Sequence, residues 1–278
     1  MPIKLHSALS LFLLSIDFAF GQVSVEPTSP YAATRYSVDL VTYCLDAVTT
    51  KIIPDCTISL QNGFTPNEGG HVANNHGTRQ PSAYGHLTST GGSYTGSTGY
   101  HFIFLSSRVG GWEFVKATSP NAPPELFQIQ VGYQDIYYYN GHPKGVLIGG
   151  TASHPLGNNH SGTLPFLSKF NQVVTQYDSE FSCVDRYSYI GINDMSLPLG
   201  GVFDVGADWA PPHASHDRGT AVDVKWKPYP QPNSIIDIPF IVNRFLEICL
   251  EKGLPFAIKE NIGTDNQHIH CGISNTGF

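Results

Sequence analysis

The sequence predicts two folds in one chain, an all-β sandwich followed by an α+β domain, and three observations carry that expectation. From Val23 to about Tyr139 strand-forming residues alternate with turn-rich gaps. After "YYYNGHPKG" two segments place apolar residues at helical spacing, and short alternating strands lie between and after them. A length of 278 residues with 41% hydrophobic content is enough to bury two modest cores.

The first 21 residues have a Lys-bearing start, an apolar run from Ala8 to Phe20 and small residues at Ala19 and Gly21. That is the pattern of a secretory signal peptide, with cleavage expected near Gly21. The run is too short to span a bilayer and no later segment is longer, so the mature chain is expected to be secreted or periplasmic, without stable membrane insertion. Residues 22–140 form the expected sandwich, with strands in "RYSVDLVTYCL", "CTISLQ", "YHFIFLSSRVGGWEFVKA" and "ELFQIQVGY". The tract "HLTSTGGSYTGSTGYHF" reads as a long hairpin loop leading into a strong strand.

Residues 141–278 form the expected second domain. In "TLPFLSKFNQVVTQY", Phe166, Phe170, Val173, Val174 and Tyr177 share one helical face and Thr163 is placed to cap it. In "DIPFIVNRFLEICLEKG", Asp237 can cap, Pro239 suits the first turn, Ile238, Ile241, Val242, Phe245 and Cys249 line a face, and Gly253 ends the helix. Short strands are expected in "YSYIGIND", "TAVDVKW", "FAIKEN" and "HIHCGI".

A formal charge of −7 without any Lys/Arg cluster removes the electrostatic basis for nucleic-acid binding. Five cysteines lie far apart without C-x-x-C spacing, which argues against a thiolate zinc site. Export permits disulfides, and the expected pairs are Cys44–Cys56 and Cys249–Cys271, with Cys183 left over.

Chemistry concentrates in "PPHASHDRGTAVDV" and "NQHIHCGI". His216 precedes Gly219 in a loop, and Asp223 sits on a strand whose Val222 and Val224 point the other way, so both polar groups can converge. His268 and His270 flank Ile269, which puts both imidazoles on one strand face roughly 7 Å apart. One can bind a metal while the other handles protons. Two neutral imidazoles and one carboxylate would leave Zn²⁺ with an open fourth position, as in catalytic zinc sites, and amide hydrolysis is the reaction class such a site suits. His154 and His160, among Gly, Pro and Asn, read as loop residues and secondarily as a cleft wall. No G-x-S-x-G elbow, H-E-x-x-H or Walker-type loop is present, and Cys271 should point away from the metal.

"SHDRGTAVDV" resembles the H-x-x-G-x-A-x-D motif of the zinc D-alanyl-D-alanine metallopeptidases, and "HIH" their H-x-H. "NDMSLPLGGVF" and "HASH" are similar to the D-M-x-x-P-x-G-G-x-F and H-A-S-H runs of the penicillin-insensitive murein endopeptidases. The likeness covers roughly Ile192 to Gly272. It implies a Hedgehog/DD-peptidase-like α+β domain in which His216, Asp223 and His270 hold zinc and His268 is catalytic. Some members of that fold group have an acidic residue three positions before the last ligand; here Gln267 stands there and cannot act as a base, which shifts the weight to His268. Asp265 is the further catalytic candidate, either orienting His268 or standing as a solvated turn residue. The roles of His213, Arg186 and Arg218 stay open.

The combined expectation is an exported zinc peptidase, preceded by an immunoglobulin-like sandwich, that hydrolyses amide bonds in peptidoglycan peptide cross-links. The competing expectation is a secreted binding or adhesion protein with a structural zinc, and neither reading fixes the oligomeric state.

Overall fold

Apolar alternation in the first half and helical spacing in the second build, among the described residues, four sheets and two helices in a computed structural model of the protein. It describes residues 22–26, 31–32, 37–46, 48–65, 85–94, 96–120, 122–149, 158–181, 190–203, 216–225 and 239–273. The expected signal peptide, His154, Cys183, Arg186, His213, Asp237 and Ile238 lie outside the described residues.

Nine strands come from the first half: β1 (Gln22–Glu26), β2 (Tyr31–Ala32), β3 (Ser37–Leu45), β4 (Thr57–Thr65), β5 (His86–Leu87), β6 (Gly91–Ser93), β7 (Tyr100–Leu105), β8 (Gly111–Ser119) and β9 (Ala122–Val131). They form two sheets, ordered β1-β3-β7-β5 and β2-β9-β8-β4-β6. Pairings are antiparallel except β2 with β9. Leu40, Phe102 and Phe104 of the first sheet and Ile58, Val115, Ala117 and Ile129 of the second bury a common core, which makes this half a sandwich. The disulfide Cys44–Cys56 links β3 to the residue just before β4, and so joins the two sheets.

The Gly/Ser/Thr tract differs from its expected loop. β5 pairs with β7 in one sheet and β6 with β4 in the other, so this stretch crosses the sandwich. Backbone pairing needs few apolar side chains, so a tract that gives Tyr94 and Phe102 to the core still yields edge strands through its Gly, Ser and Thr residues.

Onward come β10 (Ile136–Tyr138), β11 (Gly145–Leu147), β12 (Ser161–Thr163), α1 (Leu164–Phe181), β13 (Ile190–Ile192), β14 (Ala221–Lys225), α2 (Pro239–Glu251), β15 (Phe256–Glu260) and β16 (His268–Gly272). β10 pairs with β12, and a five-stranded sheet runs β11-β13-β14-β16-β15. α1 starts directly after Thr163, as expected, and its buried face holds Phe166, Phe170, Val173, Val174 and Tyr177. Those side chains, with Val242, Phe245, Ile248 and Cys249 of α2, cover one face of the sheet through Ile192, Val222, Val224, Ile269 and Cys271. Arg244 on α2 also holds Glu180 of α1 at 2.8 Å. The opposite face of this sheet carries the polar residues of β14 and β16.

The segment Leu197–Val202 joins the two cores by main chain. Val202 N donates to Arg108 O at 2.9 Å, Tyr133 N to Leu199 O at 2.9 Å, and Gly201 N to Asp217 O at 2.7 Å. Gly200 sits at φ 66°. A Cβ there would come within 2.5 Å of Asp217 O, and one on Gly110 within 2.3 Å of Gly200 O, so only glycine allows this approach.

Candidate metal centre

Register, more than any single motif, assembles the site. β14 and β16 run antiparallel with Asp223 directly opposite His270 and Lys225 opposite His268. Because side chains alternate, placing Val222, Val224, Ile269 and Cys271 in the core sends Asp223, His268 and His270 together to the other face. His216 arrives from the turn before β14. That turn ends on Gly219 at φ 67°, where a Cβ would stand 2.9 Å from Gly162 Cα. Thr163 N donates to Gly219 O at 2.8 Å, which pins the turn against the start of α1.

His216, Asp223 and His270 are all buried, and one donor atom from each lies within 4.8 Å of the others, a set that could hold a metal ion. His216 Nε2 is 3.2 Å and His270 Nδ1 2.9 Å from Asp223 Oδ1. The imidazoles of His216 and His270 meet edge-on, with centroids 5.2 Å apart. His216 Nδ1–H donates to the Met195 carbonyl at 2.5 Å, which fixes the tautomer and turns Nε2 toward Asp223. Asp223 N in turn donates to Asp194 O at 2.7 Å. The Asp194 carboxylate is clamped by side-chain amides of Asn159 and Asn193, each at 2.9 Å.

Burial opposes charge on Asp223, but attraction to His216, with hydrogen bonds from His216 and His270, overrides it and holds the carboxyl well below the usual range. Burial likewise opposes protonation of His216, and the Asp223 charge overrides it, so the imidazole is held above its ordinary value. Asp223 and His216 thus each favour the other's charged form.

His268 is buried beside this set. Its Nδ1–H donates to Asn266 O at 2.7 Å, while Nε2 lies 3.4 Å from Asp223 Oδ2 and 3.2 Å from Glu260 Oε2. Asp265 is placed differently from its candidate role of orienting His268. It is exposed in the 261–266 turn, as its solvated-turn alternative has it, and the carboxylate hydrogen-bonded to His268 is that of Glu260. Glu260 escapes sequence reasoning because its partner is set by the β15–β16 register, which puts Glu260 opposite His268 and Ile258 opposite His270. Gln267 instead accepts from Gly263 N at 3.3 Å. Arg218 follows His216 in the turn and is half-buried.

His160, expected in a loop, is fully buried, with its Nε2–H donating to Ile192 O at 3.0 Å. Burial holds its pKa below the ordinary value despite opposing pulls from the Ile192 carbonyl and Asp194. The fold thus keeps it neutral, and the unfolded chain takes up the proton first. Stability is full above about pH 6.5 and falls as pH drops below it, by up to ~1.4 kcal/mol per pH unit. His160→Gln should flatten that part of the slope, as urea midpoints at pH 7.5 and 5.5 will read.

No family model matches the chain, and no curated protein matches it in sequence. Among solved structures it is similar to the adhesin InvE of Yersinia pseudotuberculosis, at 7% identity over 69% of this chain and 65% of that one, with a TM-score of 0.36. It is similar to domains 4 and 5 of the S-layer protein SbsC at 10% identity, over 40% and 51% of the two chains, with a TM-score of 0.26. A third likeness is to a PapD-like domain of human CEP192, at 13% identity over 45% and 95%, with a TM-score of 0.30. The chain spans 51% to 58% of the first two S-layer fragments it matches. Likenesses at this level assign no activity, so any function has to come from the site itself.

Proposed function

We propose that this chain is an exported zinc-dependent peptidase that hydrolyses amide bonds in peptidoglycan peptide cross-links. The observation that carries the proposal is the burial of His216, Asp223 and His270 as one donor set with His268 beside it on the same face. The motif resemblance from Ile192 to Gly272 supports a Hedgehog/DD-peptidase-like reading of the second half. The Cys44–Cys56 disulfide fits an oxidising compartment and hence export. The sandwich is read as immunoglobulin-like, with positioning as its role.

The donor set suits zinc, since two imidazole nitrogens and one carboxylate oxygen match its ligand preference, whereas calcium and magnesium select oxygen. Held by these residues, Zn²⁺ would supply Lewis acidity, polarising an amide carbonyl and lowering the pKa of water. Asp223 would contribute the negative charge, and the His216–Met195 hydrogen bond the orientation. His268 has Nδ1 committed to Asn266, so Nε2, which meets Glu260 and faces Asp223 Oδ2, would be the atom to pass a proton to the scissile nitrogen. Ile258, 47% exposed and opposite His270, offers an apolar wall to a substrate methyl group.

Elemental analysis of protein purified without added metal, paired with digestion of a cross-linked muropeptide, tests the proposal. About one zinc per chain together with cleavage is the expected result. Zinc without cleavage of any peptidoglycan peptide would favour the structural-zinc binding protein. A chain without transition metal would overturn the ligand set.

A further inference from the structure

We propose that Cys249 and Cys271 form a second disulfide, one that ties α2 to the metal-ligand strand from behind. Its fastening role rests on the metal reading above, whereas the bond itself does not.

Both cysteines are completely buried, and their sulfurs lie 2.7 Å apart as thiols. A disulfide bond is ~2.05 Å long, so closure asks for a movement of less than ~1 Å. Cys249 sits in the last turn of α2, and Cys271 follows ligand His270 on β16. The Cys271 side chain points into the core and His270 away from it, yet the two share one stretch of backbone, so whatever fixes Cys271 fixes His270. β16 is paired on one side with β14 and on the other with β15, which restrains it within the sheet. A bond to α2 would restrain it perpendicular to the sheet, in the direction that sets the depth of His268 and His270. Cys44 and Cys56 are already joined, so a disulfide-forming reaction is consistent with the rest of the chain.

The oxidant is an external disulfide, R–S–S–R. A thiolate from one cysteine attacks one of its sulfurs, breaking the S–S bond and releasing one RSH. The second cysteine then attacks its partner's sulfur in the mixed disulfide and releases the other RSH. Two cysteine thiols are oxidised to one cystine, one external disulfide is reduced to two thiols, and both protons leave on those thiols. Because both sulfurs are buried once folded, the exchange belongs to the chain before its second core has closed.

Peptide mapping of the full chain, alkylated in denaturant without reductant, reads the bond directly. The expected result is one linked peptide pair containing Cys249 and Cys271, with neither alkylated. Alkylation of both, or a bond from either to Cys183, overturns the proposal. The fastening role is read by zinc release to a chelator. Cys249→Ala leaves the ligand strand intact and should release zinc about 10-fold faster or more while keeping its helical circular dichroism. Release at the parent rate overturns the fastening role. If that variant does not fold, reduction of the parent with a phosphine gives the same comparison. A parent chain with the bond but without zinc would overturn the metal reading and the fastening role together, and leave the bond standing.

Discussion

His268→Ala is expected to keep about one zinc per chain and to lose turnover on a cross-linked muropeptide by about 10² to 10⁴, the range for loss of a positioned acid or base. The expectation comes from where the ring stands. His268 Nε2 faces Asp223 Oδ2, whereas His216 and His270 both face Oδ1, so His268 borders the donor set without belonging to it. It is also held from both sides, by the Asn266 carbonyl and by Glu260. His270→Ala should instead lose zinc and turnover together. Zinc stoichiometry and hydrolysis measured side by side on the two variants decide the matter. Zinc that falls with His268→Ala would make this residue a ligand, and full activity in that variant would move the proton work elsewhere.

Asp223→Ala should remove zinc altogether, by more than the ~10 to 100-fold loss in affinity that follows removal of an outer partner. Asp223 is the only carboxylate of the donor set, and both imidazoles converge on its Oδ1. The variant would also leave His216 buried without its counter-charge, and losing one partner of a buried pair costs about 3 to 5 kcal/mol. Asp223→Asn separates the two effects: it keeps the shape, and should recover much of the stability while still failing to retain zinc. Elemental analysis and thermal melting of both variants provide the check, and zinc retained by Asp223→Ala would exclude Asp223 as a ligand.

Sequence reasoning reaches furthest where one residue constrains its neighbour. Val222 and Val224 need the core, so Asp223 has to face away, and Ile269 places His268 and His270 by the same logic. The face of α1 is legible from the spacing of Phe166, Phe170 and Tyr177, since a helix repeats every 3.6 residues. Glu260 is not legible, because its contact with His268 depends on how β15 registers against β16 across a turn. Three-residue strands such as β10, β11 and β12 are too short to show a period. His160 looks like a loop residue among Gly and Asn, and the bond to the Ile192 carbonyl that accompanies its burial comes from a strand 32 residues onward.

The main-chain bonds at Leu199, Gly201 and Val202 tie the sandwich to the loop that carries His216. A joint built from peptide groups is indifferent to most of the side chains around it, apart from the glycines at 110, 200 and 201 that its close approach requires. Surface substitutions in either half can accumulate without weakening it, while one residue inserted between Leu199 and Val202 would put every donor out of step with its acceptor. The two halves are therefore free to diverge in chemistry but not in spacing, and grafting a foreign sandwich onto this second half would succeed only where the loops at Arg108 and Tyr133 are transplanted with their backbone paths intact.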